Sequence, residues 1–261
     1  MRASLFQLDA FTTQRYAGNP AAVVPLDRFL PDPDLQAIAS ENNLAETAFL
    51  VRDGADYRLR WFTPTTEVPL CGHATLASAA VVMERLEPQR DRVVFHTASG
   101  LLTVARAGAK YVMDFPSLPS KRVPASEEIR SVIGVKPVEV HADEFNYLAL
   151  LADAKAVRAL APDIPAIARL DRDGLIVTAP GGGSFDFVSR YFAPAKGIPE
   201  DPVTGSAHCM LAPFWASRLG KTELRAAQLS ARGGEMVCRV GPDRVELEGS
   251  CVFYLDGTIE L

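Results

Sequence analysis

The sequence contains a carboxylate whose surroundings suit general acid–base chemistry, Glu46, in a segment rich in apolar residues. If residues 46–51 form a strand, the alternation of side chains puts Glu46 on the face of Ala48 and Leu50. A carboxylate partly removed from water is well suited to take up and return a proton during a reaction. Glu46 is therefore a candidate general acid/base. A glutamate at the end of a strand can also reach solvent or pair with an arginine, and this structural alternative stays open.

Two further candidates flank Gly72 at the predicted start of an apolar helix. A helix dipole disfavours an imidazolium at the N-terminus, so we expect His73 to be a neutral hydrogen-bonding group; a capping histidine is the structural alternative. The same dipole would lower the pKa of Cys71 and make its thiol reactive. A racemase with two thiols needs a second cysteine at the equivalent position, where the chain has Thr204. The sequence therefore favours Cys71 as a small packing residue.

The two halves of the chain share a block of sequence. The first half contains Arg60-Trp-Phe-Thr-Pro64 and then Glu67-Val-Pro-Leu-Cys-Gly-His-Ala74. The second half contains Arg190-Tyr-Phe-Ala-Pro194 and then Glu200-Asp-Pro-Val-Thr-Gly-Ser-Ala207. Each block predicts an aromatic strand, a loop with proline, a glycine and an apolar helix. Ordered identity at this many positions indicates an internal duplication rather than a chance match.

The repeated block predicts a ligand site. Each helix begins just after a glycine, Gly72 or Gly205, where the backbone can approach a ligand and the helix dipole favours an anion. Two such helix N-termini could converge on one cleft and hold a small molecule with carboxylate groups. In the second block, Asp201 and Ser206 are candidates for contacts with that molecule. Both are also preferred residue types for loops and helix caps, so a structural role is the alternative.

Composition narrows the class of protein. The chain has 261 residues, a formal net charge of −5 and an apolar fraction of 48%, which are typical of a globular protein. It has no block of Lys and Arg, which argues against nucleic acid or an anionic membrane as a partner. Its four cysteines form no C-x-x-C pair, and no metal-binding motif occurs, so we expect no metal and no disulfide scaffold. The sequence lacks a signal peptide or a long apolar run, and we expect a cytoplasmic protein.

The elements that must position these residues are many short strands and one long apolar helix in each half. This pattern predicts an α+β fold with two pseudo-repeated domains, each a barrel-like sheet around a buried central helix. We expect the first lobe over 1–116 and the second over 125–251. A proline-rich linker is expected at 116–124, and the final strand over 252–261 is a candidate for return to the first lobe. The predicted helices are 32–42, 74–86, 126–132 and 207–219, with shorter ones near 154–160 and 164–169.

Several segments, in this order, resemble the phenazine biosynthesis PhzF-like family over nearly the whole chain. These segments are Asp9-Ala-Phe11, Ala17-Gly-Asn-Pro-Ala-Ala-Val-Val24, Asn43-Leu-Ala-Glu-Thr-Ala48, Cys71-Gly-His-Ala74, Glu200-Asp-Pro-Val-Thr-Gly-Ser-Ala207 and Arg232-Gly-Gly-Glu235. The resemblance implies a diaminopimelate epimerase-like fold with the active site in a cleft between two domains. The form Cys-Gly-His-Ala-Thr is similar to the broader branch of the family rather than to the phenazine enzyme.

The resemblance also implies a function. It places the general acid/base on Glu46 and implies that His73, Asp201 and Ser206 hold the substrate and help to relay the proton. We therefore expect a cofactor-independent isomerase, forming a homodimer, that removes and returns a proton on a small carboxylate-bearing metabolite. The amides near Gly72 and Gly205 would stabilise the developing negative charge. The alternatives are a two-base amino-acid epimerase that uses Cys71 and a non-catalytic small-molecule-binding protein.

Overall fold

The chain divides into two units, each with its own core. The structure is a computed structural model and describes residues 2–261. One unit comprises the described residues up to Phe115 together with Leu247–Leu261, and the other comprises Pro116–Glu246. No helix in the described part of the chain has both the length and the apolar character needed to cross a membrane.

The helices and strands are numbered in chain order. The elements up to residue 116 are β1 (Arg2–Ala10), β2 (Asn19–Leu26), α1 (Asp32–Asn42), β3 (Glu46–Asp53), β4 (Asp56–Phe62), β5 (Glu67–Val68), α2 (Gly72–Val81), β6 (Arg92–Thr97), β7 (Gly100–Ala107) and β8 (Lys110–Pro116). The next are β9 (Lys121–Val123), α3 (Glu127–Ile133), β10 (Glu139–Ala142), β11 (Asn146–Leu150), α4 (Ala154–Ala159), α5 (Ile164–Ile167), β12 (Gly174–Pro180) and β13 (Phe187–Ala193). The last are β14 (Ile198–Asp201), α6 (Gly205–Leu219), β15 (Glu223–Gln228), β16 (Gly234–Val240), β17 (Arg244–Gly249) and β18 (Cys251–Glu260).

Strand pairing follows the same series in each unit. In the first, β2 is parallel to β3, β3 is antiparallel to β4, β4 is antiparallel to β5 and parallel to β6, and β6 is antiparallel to β7. In the second, β11 is parallel to β12, β12 is antiparallel to β13, β13 is antiparallel to β14 and parallel to β15, and β15 is antiparallel to β16. Among the strands of the parallel pairs, β3 and β12 are each buried at six consecutive positions, as expected for strands covered on both faces.

The helix α2 lies in the core of the first unit. Every residue from His73 to Val81 is buried, and the helix packs against β1, β2, β3 and β18. Its small side chains allow this close approach, and its hydroxyl groups are satisfied within the helix. Thr75 Oγ1 donates to the Cys71 carbonyl at 2.5 Å, and Ser78 Oγ donates to the Ala74 carbonyl at 2.7 Å. The opposite face of the sheet is covered by α1, which packs on Phe49 and its apolar neighbours.

The helix α6 is the buried helix of the second unit. It packs against β15 and β16, and most of its residues between Gly205 and Trp215 are buried. The Trp215 indole stacks on Phe187 at 5.8 Å between ring centroids and donates its Nε1–H to Thr178 Oγ1 at 2.9 Å. A buried indole N–H needs such a partner, so this contact fixes the side of the helix that faces the sheet.

Several predicted elements differ from the structure. The segment predicted as one helix over 74–86 is α2 followed by a π-helical turn at Val82–Leu86. The segment predicted as a linker, 116–124, contains β9, which pairs with β10; its three residues lie between the prolines and can donate hydrogen bonds. The local sequence does not indicate strands at β14 and β15, because Ile198–Asp201 contains proline and Glu223–Gln228 has no β-branched residue.

Candidate active site

Glu46, Asn19 and His73 are placed by adjoining elements of the first unit. Glu46 begins β3 and stands opposite Ala21 of the parallel strand β2, whose first residue is Asn19. Since parallel strands start at the same edge of a sheet, the side chains of Asn19 and Glu46 are near one another. The helix α2 also begins at this edge, with Cys71 as its N-cap in extended conformation and His73 in its first turn.

The Glu46 carboxylate and the His73 imidazole form a buried pair. Glu46 Oε2 lies 3.0 Å from His73 Nε2, and the two residues are 7% and 4% exposed. Neither atom has a partner at hydrogen-bond angles among the described residues, so each keeps capacity to bind a further group. On the other side of the ring, His73 Nδ1 lies 3.1 Å from Asn19 Nδ2 and 3.5 Å from Cys71 Sγ. The structure therefore brings together two of the predicted catalytic residues, Glu46 and His73.

The charge on His73 differs from the prediction. Burial lowers the pKa of His73, but the neighbouring Cys71 and Glu46 outweigh burial and hold that pKa well above the usual value of 6.5. The prediction of a neutral imidazole is wrong, because it considered the helix dipole and not the carboxylate 3.0 Å away. A protonated ring donates from both nitrogens: Nε2–H toward Glu46, and Nδ1–H toward Cys71 or, after an amide flip, the Asn19 oxygen.

The Cys71 thiol is not activated. Burial, followed by the charge of Glu46, raises the pKa of Cys71 above its usual range, and the opposing effect of His73 is smaller. Desolvation of a buried thiolate costs more than the helix dipole returns, which agrees with the favoured prediction of a small packing residue and not with the alternative of a reactive thiol. Cys71 is therefore a thiol at neutral pH. Because a thiol carries no charge, we assign the stabilisation of the His73 imidazolium to the Glu46 carboxylate.

In the second unit, Asp201 belongs to a buried network. Thr204 Oγ1 donates to Asp201 Oδ2 at 2.5 Å, and Gln228 Nε2 donates to the Asp201 carbonyl at 2.7 Å. The Thr204 amide in turn donates to Gln228 Oε1 at 2.9 Å. This network fixes the loop before α6, which begins at Gly205, and leaves Ser206 exposed. The buried His208 has its Nδ1 2.7 Å from the Thr204 carbonyl, and burial lowers the pKa of His208 to about 4, so it is a packed neutral residue.

The N-termini of α2 and α6 share an unusual feature. Neither helix has a side-chain cap or an acidic residue in its first turn. The N-termini of α3, α4 and α5 are capped by the side chains of Ser126, Asp153 and Asp163, and α1 has Asp32 and Asp34 in its first turn. The first N–H groups and the positive dipole end of α2 and α6 are therefore not neutralised by an acidic side chain of their own helix.

Two residues of these networks were missed as functional candidates. Asn19 belongs to the Gly-Asn-Pro segment that was noted only as part of the family resemblance, and the segment itself was the available signal. Nothing in the sequence around Gln228 indicates a functional role. Its contact with Thr204 is formed in the folded chain, where β15 pairs with β13. One group could also hold a metal ion: Glu46, Cys71 and His73 each offer a ligand atom, and these atoms lie within 4.8 Å of one another.

The raised pKa of His73 predicts a pH-dependent stability. Between the unfolded value of 6.5 and the higher folded value, the folded chain binds more protons, so the free energy of unfolding falls as the pH rises. This contribution is fully present below 6.5 and is lost as the pH passes through the folded pKa. We expect His73→Gln to reduce the change of the free energy of unfolding with pH across this window, as measured by urea unfolding. His96→Gln, which replaces an exposed side chain, should leave this pH dependence as it is in the native chain. An unchanged slope in His73→Gln would contradict the buried ion pair.

Comparison with known proteins gives the context of this site. The chain matches the family described as phenazine biosynthesis-like protein over residues 8–257. A Pseudomonas aeruginosa protein named as an uncharacterized isomerase is 49% identical over 261 residues, with 100% of both chains covered. The crystal structure of a phenazine biosynthesis protein of the PhzF family from Enterococcus faecalis has a TM-score of 0.97 at 42% identity, with 100% of both chains covered. The structure of a predicted epimerase from Pseudomonas aeruginosa has a TM-score of 0.72 at 21% identity, covers 99% of each chain and shares the fold.

The relatives named as isomerases, which match this chain over 98–100% of its length, identify the chain as an isomerase. It belongs to the phenazine biosynthesis-like PhzC-PhzF family, and the resemblance found in the sequence is confirmed. The fold is that of the PhzF and epimerase-like group. This identification contradicts the alternative prediction of a non-catalytic small-molecule-binding protein.

Proposed function

We propose that the chain is a cofactor-independent isomerase that removes a proton from a small carboxylate-bearing metabolite and returns it elsewhere, with Glu46 as the general acid/base. The observation that carries this proposal is the buried contact of 3.0 Å between Glu46 and His73 at the N-terminus of α2. A single carboxylate can serve both steps, because it becomes the acid once it has taken the proton.

The Glu46 carboxylate is suited to act as the base. It is 7% exposed on a strand whose next five residues are also buried, so water competes little for its lone pairs. Its Oε2 has no partner at hydrogen-bond angles and can accept a substrate proton. Carbon acids are weak, and the base alone contributes typically about 10²–10⁴-fold to the rate.

Stabilisation of the developing negative charge must supply a comparable part of the rate. The protonated imidazole of His73 lies beside Glu46, and the N–H groups near Gly72 at the start of α2 face no acidic side chain of their own helix. Fixed positive charge and amide dipoles stabilise an enolate-like intermediate without reorganisation during the reaction. His73 therefore acts as the electrostatic partner of Glu46 in this proposal.

The second unit is proposed to bind the substrate. The N-terminus of α6 at Gly205 has the same lack of an acidic cap, Ser206 is exposed, and Asp201 is held by Thr204 and Gln228. We assign Gly205 and Ser206 to the substrate carboxylate and Asp201 to proton relay. The identical series of strand pairings in the two units supports a duplicated, barrel-like epimerase architecture. The proposed lobes follow the predicted 1–116 and 125–251, except that the return to the first lobe begins at Leu247 rather than at 252.

The cellular context is also a proposal. The four cysteines are free, which fits the reducing cytoplasm. The family resemblance implies a homodimer, and analytical ultracentrifugation should therefore give the mass of two chains. The mass of one chain at micromolar concentration would contradict the homodimer.

The proposed reaction is tested by isotope exchange. The purified chain, dialysed against a chelator and without added cofactor, is incubated in D₂O with a panel of cyclic and amino-acid carboxylates. Deuterium uptake into a carbon position, read by mass spectrometry, is the expected result for at least one member of the panel. Exchange that appears only after a cofactor or metal is restored would contradict the cofactor-independent mechanism.

The two-base epimerase alternative predicts a different dependence on Cys71. Its second base would be at the position of Thr204, which carries no thiol, and burial raises the pKa of Cys71. We therefore expect Cys71→Ala to retain isotope exchange within about tenfold, well short of the about 10²–10⁴-fold loss that follows removal of a general base. Loss of exchange in Cys71→Ala, with the far-ultraviolet circular dichroism unchanged, would favour the epimerase.

A further inference from the structure

Three chemically different donor atoms meet in the first unit. Glu46 offers a carboxylate oxygen, Cys71 a sulfur and His73 a ring nitrogen, and one atom from each lies within 4.8 Å of the others. All three residues are buried, with exposed fractions of 7%, 6% and 4%. Thiolate and imidazole ligands select zinc and related transition metals, whereas magnesium and calcium prefer sites built from oxygen alone.

The geometry is close to that of a metal site. The separation of 3.5 Å between Cys71 Sγ and His73 Nδ1 equals the spacing of roughly 3.5 Å expected for sulfur and nitrogen on one tetrahedral zinc with bonds of about 2.3 and 2.0 Å. Independently, Glu46 Oε2 and His73 Nε2 are buried 3.0 Å apart, and neither has a partner at hydrogen-bond angles among the described residues. Unsatisfied buried atoms of this kind gain from a ligand that binds them.

We propose that Glu46, Cys71 and His73 also form an inhibitory site for a thiophilic divalent metal ion such as Zn²⁺, with water as the fourth ligand. When the ion binds, a metal–sulfur and a metal–nitrogen bond form, the Cys71 S–H bond and the His73 Nδ1–H bond break, and both protons pass to solvent; no group is oxidised or reduced. The Glu46 carboxylate then binds the metal and cannot accept a proton from carbon. The inhibitory effect depends on the proposed function of Glu46, whereas metal binding itself does not.

The site is tested with Co²⁺ and Zn²⁺ on the full chain without substrate. Titration of the metal-free protein with Co²⁺ should give one ion per chain and a thiolate-to-cobalt charge-transfer absorption, which Zn²⁺ abolishes by displacement. Cys71→Ser should remove the absorption and weaken Zn²⁺ binding by at least about tenfold, since loss of an outer-shell partner alone costs that much. The matched control is Cys251→Ser, a free cysteine in β18, which should leave both unchanged.

A second variant keeps the test decisive if Cys71→Ser does not fold. Glu46→Gln should weaken Co²⁺ binding and retain the charge-transfer absorption, because the thiolate is still a ligand. A native protein without this absorption, or one whose absorption survives in Cys71→Ser, would overturn the proposal. In the isotope-exchange assay, Zn²⁺ should stop deuterium uptake and a chelator should restore it. A cobalt site in a protein that exchanges no substrate would leave the metal site standing and contradict the proposed function instead.

Discussion

Replacement of Glu46 by Gln is expected to lower isotope exchange by at least about 10²–10⁴-fold while ligand binding persists. The amide keeps the shape of the side chain, which lies 3.0 Å from His73, but it cannot accept the proton that leaves carbon. Substrate contacts proposed for Gly205 and Ser206 are unaffected. The measurement is the rate of deuterium uptake in D₂O, together with binding of the same carboxylate by isothermal titration calorimetry.

The matched control for this substitution is Glu41→Gln. Glu41 is an exposed residue of α1 in the same unit, so its replacement changes the net charge equally without touching the buried pair. Exchange at the native rate is expected in this variant. If Glu46→Gln kept the native exchange rate, another residue would have to be the base. A parallel loss of binding and exchange would instead assign Glu46 to substrate binding.

Truncation of Leu76 to Ala is expected to lower the free energy of unfolding by about 2–5 kcal/mol. Leu76 is fully buried in α2, one turn after His73, and its methyl groups pack so closely that a Cβ added at Gly249 would lie 3.2 Å from Cδ2. Removing these methyl groups leaves a cavity beneath the start of the helix. Urea unfolding followed by circular dichroism gives the change in free energy.

Leu219→Ala is the control for the loss of leucine itself. Leu219 ends α6 and is 41% exposed, so its truncation should cost no more than about 0.5 kcal/mol. Equal effects of the two substitutions would contradict the central packing of α2. Because the His73 ring begins the same helix, Leu76→Ala is also expected to reduce exchange where the folded population is still complete.

Local patterns in the sequence were sufficient for much of the fold. The bounds predicted for α1, 32–42, agree with the structure, and 207–219 lies within α6, because runs of apolar residues with helical spacing depend on near neighbours along the chain. The motifs around Glu46 and Cys71-Gly-His-Ala74 were enough to identify the family and the isomerase class. They also selected Glu46 and His73, which the structure places in contact.

Tertiary structure decided the properties that depend on distances through space. The charge on His73 follows from a carboxylate 27 residues away in sequence, and the raised pKa of the Cys71 thiol follows from its burial and from the charge of Glu46. The contact of Asn19 with His73 depends in the same way on the register of β2 beside β3. Residue types and spacing identify which groups can react, because side-chain chemistry is local. Their protonation states are set by burial and neighbouring charges, which only the folded chain brings together.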